Sequence, residues 1–324
     1  MFSVRPVLSV IFFIIFFSAP VNFLFAQDSS WTFHSIPLNN GDIEDFYFLD
    51  KDTGWVVGSD YDTTAILSTQ NGGQDWIDQS PNISGGLSGV YFVDANIGYA
   101  VGEDYNGSIP PIILKTTDGG SAWNRQTAPG NSGGLSDVFF TGATNGIAVG
   151  IDTNDKTLIL KTGDGTTWTS VNHIQQDGRF KKVFFADENH GWAIGYDANH
   201  LLSYVFATND GGSTWTKQPA PANNSQFEDL FFVNPDTGWV VGQVNPNGLI
   251  LKTTDGGVNW SSVNAPPSRD ISAINFISPV HGFLSVHGNS AASFATVFET
   301  EDGGDSWTEL SERVSAGHIS ALIV

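Results

Sequence analysis

The sequence predicts an all-β propeller of four-stranded blades, six complete and a seventh shared by the two chain ends. Three observations predict it. A ten-residue stretch, LKTTDGGVNW at 251–260, returns as LKTTDGGSAW at 114–123, FATNDGGSTW at 206–215 and FETEDGGDSW at 298–307. The tryptophans that close each copy, Trp76, Trp123, Trp168, Trp215, Trp260 and Trp307, stand 45 or 47 residues apart. Two apolar markers precede each copy, exemplified by GVYFVD at 89–94 and GYAVG at 98–102. A repeat of about 40–50 residues holding four short strands is the period of a propeller blade.

Within a unit the strands follow in order. The first, as in DLFFVN at 229–234, is apolar without alternation, which suits a sheet covered on both faces. The second is the Gly-flanked run at 53–58, 97–102, 145–150, 190–195, 237–242 and 281–286. The third is the IILKTT type, and the fourth starts at the tryptophan. No stretch beyond the N-terminal segment has a helical period.

Between the third and fourth strands lies Thr-x-Asp-x-Gly-x-x-Trp. Its copies are Thr116/Asp118/Gly120/Trp123, Thr208/Asp210/Gly212/Trp215, Thr253/Asp255/Gly257/Trp260 and Thr300/Asp302/Gly304/Trp307. The first copy, Thr69/Asn71/Gly73/Trp76, has Asn for Asp, and the third, Thr162/Asp164/Trp168, is one residue short. Such a turn needs a side-chain acceptor for backbone N–H groups and a glycine at positive φ. The tryptophan then buries a large ring between sheets and pins the turn. A folding device used once per unit explains six copies better than catalysis does.

These residues resemble the Asp-box, or bacterial neuraminidase repeat. The whole unit, from the GW-x-VG strand to ILKTTDGG-x-x-W, resembles the propeller family named after the photosystem II assembly and stability factor. The resemblance covers nearly all of 31–324. It implies a non-enzymatic scaffold that binds a protein or acts as an assembly factor. Asp-boxes also occur in glycan-cleaving propellers, so a glycan-binding or sialidase-like hydrolase is the alternative.

The residues for that alternative are sparse. A sialidase needs an Arg trio, a Tyr nucleophile with a partner Glu and an Asp acid. Beyond Arg5 the chain has only Arg125, Arg179, Arg269 and Arg313. The last three precede first strands, at the face where the fourth-to-first connections cross, and form a candidate binding face. Asp60, Asp104, Asp152 and Asp197, each two residues after a second-strand glycine, open loops on that same face. The oxygen-rich stretches DTNDKT at 152–157 and EDYNGS at 103–108 are where a Ca²⁺ ion would sit. No other cofactor is expected. GNSGG at 130–134 matches a nucleophile motif by letters, but no strand-to-helix turn surrounds Ser132. The seven His are scattered, with no metal-ligand spacing.

The N-terminal segment, residues 1–26, reads as a secretory leader: Arg5, an apolar run from Val7 to Phe17, and the small Ala26. The expected mature chain is a single propeller domain over 27–324, soluble, and secreted, periplasmic or at the cell surface. Its 12 basic and 34 acidic residues give −22, because the leader removes Arg5 and no acid. That charge repels nucleic acid at long range and leaves a protein or glycan as the partner. The chain has no Cys, so packing alone must stabilise it.

Counting strands gives seven fourth strands, from Trp31 to Trp307, and seven first strands, from Ile43 to Ile319. The second and third types occur six times. The segments 31–36 and 319–324 are therefore expected in one blade, about 10 Å apart, the width of two strands.

Overall fold

The computed structural model describes residues 11–16, 22–27, 30–38 and 41–323. It leaves out the short stretches 107–109, 131, 172–173, 175, 198–201, 221–224, 245–246, 267–269, 288–293, 311–313 and 316–317. The described residues form seven antiparallel sheets, each running from an inner to an outer strand. The inner strands are Gly41–Phe48, Gly86–Phe92, Ser132–Phe140, Arg179–Phe185, Ser225–Phe232, Asp270–Phe276 and His318–Ile323. Each inner strand packs against the next and the last against the first, which closes a ring. The sheets are numbered blades 1 to 7 in that order.

Polarity falls inward within a blade. The second strand Gly98–Glu103 is buried from Gly98 to Gly102, whereas the outer strand Asn124–Arg125 is two exposed residues. In blades 1 to 6 the outer strand begins one residue after the box tryptophan rather than at it. In blade 6 a short strand, Val314–Ser315, also pairs with Phe294–Thr300, an addition the repeat does not announce. The glycines of the second strands have a steric cause. A Cβ on Gly98 would lie 2.4 Å from the Phe92 ring, and one on Gly102 would lie 1.9 Å from the Gly86 carbonyl oxygen.

The seventh blade is shared by both chain ends. His318–Ile323 is its inner strand and Ser30–Ser35 its outer strand, with two strands between them. The two strands missing from the repeat are supplied by Ile11–Phe16 and Asn22–Gln27, within the segment that reads as a leader.

The core is a set of apolar layers between blades. Trp55 of blade 1 stacks on Phe92 of blade 2 at 3.5 Å, and Trp192, Trp239 and Tyr99 stack likewise on Phe232, Phe276 and Phe140. Each of these second-strand aromatics also donates a hydrogen bond to the box turn of the next blade. Trp55 Nε1 reaches the Gly119 carbonyl at 3.2 Å, Trp192 the Gly256 carbonyl at 2.9 Å, and Trp239 the Gly303 carbonyl at 3.2 Å. Tyr99 Oη reaches the Gly165 carbonyl at 3.2 Å. Blade 3 carries Ile147 at this position, and there Trp215 Nε1 of blade 4 bonds its own Gly212 carbonyl at 3.1 Å.

The box tryptophans join the layers between blades, as expected: Trp168 and Trp215 are buried members, and Trp123, Trp260 and Trp307 pack against them. Each meets the inner-strand Phe of its own blade edge-on, as Trp123 on Phe92 and Trp260 on Phe232. Trp168 and Trp215 are buried, while Trp76, Trp123, Trp260 and Trp307 are half-buried at the rim. The second-strand aromatic lies deeper in the layer than the box tryptophan, as Trp239 at 0% exposure beside half-buried Trp260. Trp239→Ala is therefore expected to cost roughly 3–5 kcal/mol in denaturant unfolding, and Trp260→Ala less. Equal losses in the two variants would contradict this ranking.

Candidate functional site

The six boxes spend their polar atoms on themselves. Thr116 Oγ1 accepts the Gly120 N–H at 2.8 Å and donates to Asp118 Oδ1 at 2.8 Å, while Asp118 Oδ1 accepts the Ala122 N–H at 2.9 Å. The same glycine-to-threonine bond closes the other full-length boxes. Gly73 N–H reaches Thr69 Oγ1 at 2.8 Å, Gly212 reaches Thr208 at 3.0 Å, Gly257 reaches Thr253 at 2.9 Å, and Gly304 reaches Thr300 at 2.9 Å.

Asn71 replaces the aspartate without loss of the turn. Its Oδ1 accepts the Asp75 N–H at 2.9 Å, as Asp255 Oδ1 accepts that of Asn259 at 2.8 Å. The amide adds what a carboxylate cannot: Asn71 Nδ2 donates to Asp75 Oδ2 at 2.8 Å. The short third box closes earlier. Thr162 Oγ1 takes the Gly165 N–H, and Asp164 Oδ1 takes the Thr166 and Thr167 N–H groups.

The glycines expected at positive φ, Gly73, Gly120, Gly212, Gly257 and Gly304, all stand there. The structure holds a pair in each of these boxes, because the residue before each is also a glycine at positive φ, as at Gly119 with 72° and Gly120 with 96°. Two consecutive left-handed residues are what only glycine adopts without strain. At Gly257 and Gly304 space adds a second reason, since a Cβ would lie 3.3 Å from the ring of Trp260 or Trp307.

The Ser306 hydroxyl and N–H hold the Asp302 carboxyl down to about 2. Burial opposes the ionised form of Asp210, yet bonds from Thr214 hold it at about 2. The sequence shows the Asp and Gly of this turn, but the threonine's role as acceptor appears only in the structure.

The predicted binding face divides. Asp104 is buried and engaged: Arg125 Nη1 lies 2.9 Å from its Oδ2, and its Oδ1 accepts the Asn106 N–H at 3.0 Å. Asp152 Oδ1 closes its own loop by accepting the Asn154 and Lys156 N–H groups. Asp197 Oδ1 accepts the Leu202 N–H at 3.0 Å. Asp60 ends its second strand half-buried, opposite Gly41 and Thr63. Among the described residues no three His, Asp or Glu gather as metal ligands. Arg269 and Arg313 lie outside the described residues. Arg179 opens the inner strand of blade 4, its Nη2 3.6 Å from Glu103 Oε2 of blade 2.

The more informative cluster was missed in the sequence. In blades 1 to 6 the inner strand carries a bulge at one place, between residues such as Ile43 and Asp45 or Phe180 and Lys182. A bulge re-aims the side chain that follows it. The residues so placed are Asp45, Gly89, Asp137, Lys182, Asp229 and Ala273. The aspartates of blades 1, 3 and 5 hook the blade ahead. Asp45 Oδ2 accepts the Val90 N–H at 2.9 Å, Asp137 Oδ2 the Val183 N–H at 2.8 Å, and Asp229 Oδ2 the Ile274 N–H at 2.9 Å. Gly89 leaves room for this arrangement, since a Cβ there would lie 2.9 Å from the Asp137 Cα. Lys182 Nζ of blade 4 lies 3.5 Å from Asp45 Oδ1 of blade 1. Those blades are not neighbours, so the contact crosses the axis. Lys181 pairs with Glu228 of blade 5 just above. Aligned as columns, the repeats show Asp, Gly, Asp, Lys, Asp and Ala at one position, the one signal available in the sequence.

Burial pushes Asp137 up to about 7 and Asp229 up to about 6, against the pull of Lys182. Burial also opposes the charge on Lys182, but the fields of Asp45, Asp137 and Asp229 raise it above the usual lysine range. Every carboxylate in this hub is tied to backbone N–H groups or to a cation. The hub can bind blades together and set the charge of the channel; it holds no carboxylate pair free to work as acid and nucleophile.

The hub sets a pH dependence. Asp137 and Asp229 hold protons in the folded state that the unfolded chain releases near pH ~4. Their contribution is fully present below that pH and is lost as pH rises through about 6 and 7. The box carboxyls Asp210 and Asp302 act oppositely: their contribution is present above pH ~4 and is lost as pH falls through about 2. The melting temperature should thus peak near pH ~4–5 and decline toward pH ~8. Asp229→Asn should lower the whole curve and flatten that decline. A wild-type optimum at about pH 8, or an unchanged slope in the variant, would contradict the assignment.

The family model for photosynthesis system II assembly factor YCF48 matches residues 24–170 and 160–270. Among solved structures, YCF48 bound to D1 peptide superposes with a TM-score of 0.64 at 20% identity, over 89% of this chain and 91% of that one. YCF48 from Cyanidioschyzon merolae gives 0.62 at 18%, over 86% and 88%. The GH74 xyloglucanase from Xanthomonas campestris gives 0.63 at 11%, over 88% of this chain and only 50% of the enzyme. No curated protein matches by sequence. With the blade repeat, the ring and more than half of the sequence matched, the chain belongs to the family of photosynthesis system II assembly factor YCF48.

Proposed function

We propose that the chain is an exported, non-catalytic propeller that holds a polypeptide segment of a partner at the mouth of its channel. The observation that carries this reading is the cation-bearing inner strand of blade 4. Arg179, Lys181 and Lys182 stand close together on it in a chain of net charge −21, and they are met by Glu103, Glu228 and Asp45 from three other blades. Lys182 is locked in the hub. Arg179 is looser: at 3.6 Å, with the Glu103 side chain 57% exposed, its pair can exchange Glu103 for an incoming carboxylate at little cost. A solved relative in the same family carries a bound peptide, which supports a peptide as the occupant. Export is supported by the leader pattern at 1–26 and predicts that the exported protein begins at Gln27, read by intact mass.

The test places a photo-crosslinking residue at Glu103, whose exposed side chain lies beside Arg179, and in a second variant at Val258, on the box face. The same partner protein is expected from position 103 and not from Val258, and Arg179→Glu should abolish it. Equal crosslinking from both faces would refute a mouth site. The GH74 likeness raises a second reading, glycan hydrolysis. The tied carboxylates of the hub argue against it, and no turnover of xyloglucan or sialosides is expected; turnover lost in Asp229→Asn would reverse the choice.

A further inference from the structure

A carbonyl oxygen has two lone pairs. Among the described residues, four box glycine carbonyls accept an aromatic donor from the blade behind, and three of them accept a second donor as well. Gly119 takes Trp55 Nε1 and Gln79 Nε2, each at 3.2 Å. Gly165 takes Tyr99 Oη at 3.2 Å and Lys115 Nζ at 3.0 Å. Gly303 takes Trp239 Nε1 at 3.2 Å and Lys252 Nζ at 2.8 Å. Gly256 takes Trp192 Nε1 alone, at 2.9 Å.

The cause is one position of the repeat. The residue paired with the second-strand aromatic, one before the box threonine, is Lys115 opposite Tyr99 and Lys252 opposite Trp239. In blade 4 it is Ala207, opposite Trp192. Blade 1 has Ser68 there, and Gln79 supplies the donor instead. The matching glutamine of blade 4, Gln218, is turned to the Thr216 carbonyl at 3.1 Å. What the missing lysine leaves is a cavity of about 420 Å³ between blades 4 and 5, bordered by Trp192, Ala207, Asp236, Asp255, Gly256 and Val258. The Asp236 side chain is exposed and has no partner among the described residues. His190 also borders the cavity, and its Nδ1 is held by Asp187 at 2.9 Å.

We propose that this cavity binds a small primary amine, whose ammonium takes the place that Lys252 Nζ holds in blade 5 and whose alkyl stem lies along Ala207. Blade 5 is the template. There the ammonium bonds the Gly303 carbonyl at 2.8 Å, stands 5.7 Å from the Trp239 ring centre and lies 3.4 Å from Asp305 Oδ1. In blade 4 the Gly256 carbonyl and the Trp192 indole are the same two groups, and Asp236 and Asp255 supply the negative charge. Val258 stands at the position of Asp305 and gives the stem an apolar wall. An ammonium brings three donors to this acceptor set, and bonds to a charged donor are the stronger kind. The missing stem starts at Ala207, so alkyl chain and ammonium both lie inside the cavity, which suits a free amine better than a lysine held on a backbone. Within blade 4 Arg179 pairs with Tyr196 and Phe184 with Trp192, so the cavity lies at the other end of the blade from Arg179. The site is separate from the channel-mouth contact and does not rest on it.

The test follows the indole N–H resonances of the full chain by NMR while n-butylammonium chloride is added at constant ionic strength. The Trp192 N–H is expected to shift saturably, and 1-butanol and tetramethylammonium, which lack the charge or the donors, should move it far less. Ala207→Lys ties a lysine into the cavity as blade 5 does. It should abolish the response and raise the melting temperature. Lys252→Ala should open a second site, read as a new saturable shift of the Trp239 N–H. Asp236→Asn should weaken binding severalfold. No saturable shift of Trp192, an equal shift with 1-butanol, a response that survives Ala207→Lys, or a silent Trp239 in Lys252→Ala would overturn the amine site. A lysine tripeptide amide is the last probe and should bind more weakly than n-butylammonium. Equal affinity would give the site to a polypeptide lysine and overturn the free amine.

Discussion

The fold depends on one contact made again and again: a second-strand aromatic lies flat on the inner-strand Phe of the next blade and gives its polar hydrogen to the next box turn. Trp239 shows all of its parts. Its ring is fully buried, 3.7 Å from Phe276, and its N–H meets the Gly303 carbonyl. Lys252 lies over the same ring and bonds the same carbonyl at 2.8 Å. A blade sheet has two apolar faces and is not stable alone. The contact joins the apolar layer to the turn that carries a fixed backbone shape, so the boxes of blades 2, 3, 5 and 6 are held by the blade before them.

That arrangement explains why the box is repeated and why it is chemically quiet. The acidic or amide side chain, hydroxyl and glycine amide of each box are consumed in the turn, and in blades 2, 3, 5 and 6 a glycine carbonyl is engaged by the neighbour. Asn71 makes the same point from the other side: an uncharged amide serves the turn as well as a carboxylate, so the box has no need of a charge for chemistry. Polypeptide binding is left to the inner strands and to the loops at the channel mouth. There the bulge brings Asp45, Asp137, Lys182 and Asp229 together across the axis, from blades far apart in sequence.

The sequence made the blade architecture legible because period, glycine pairs and box each have a local cause. Gly98 and Gly102 are required by their own hairpin, and Gly119 and Gly120 by their own turn. The hub was not legible, because it depends on a bulge that breaks strand alternation and on a contact spanning half the ring. Asp104 looked like a loop ligand, yet Arg125 engages it, a pairing set by tertiary geometry rather than by spacing. The seventh blade was legible as a gap with an inner and an outer strand. Its middle strands were not, since IFFIIF carries no mark of the repeat.

The dependence of each box on the preceding blade is most directly measured by amide hydrogen exchange in Trp239→Phe, which keeps a ring at the stack and removes only the N–H. Protection should fall in the next box, 300–307, and remain in the box of its own blade, 253–260. Loss confined to 253–260, or spread evenly around the ring, would contradict a propeller held together box by box from the blade behind.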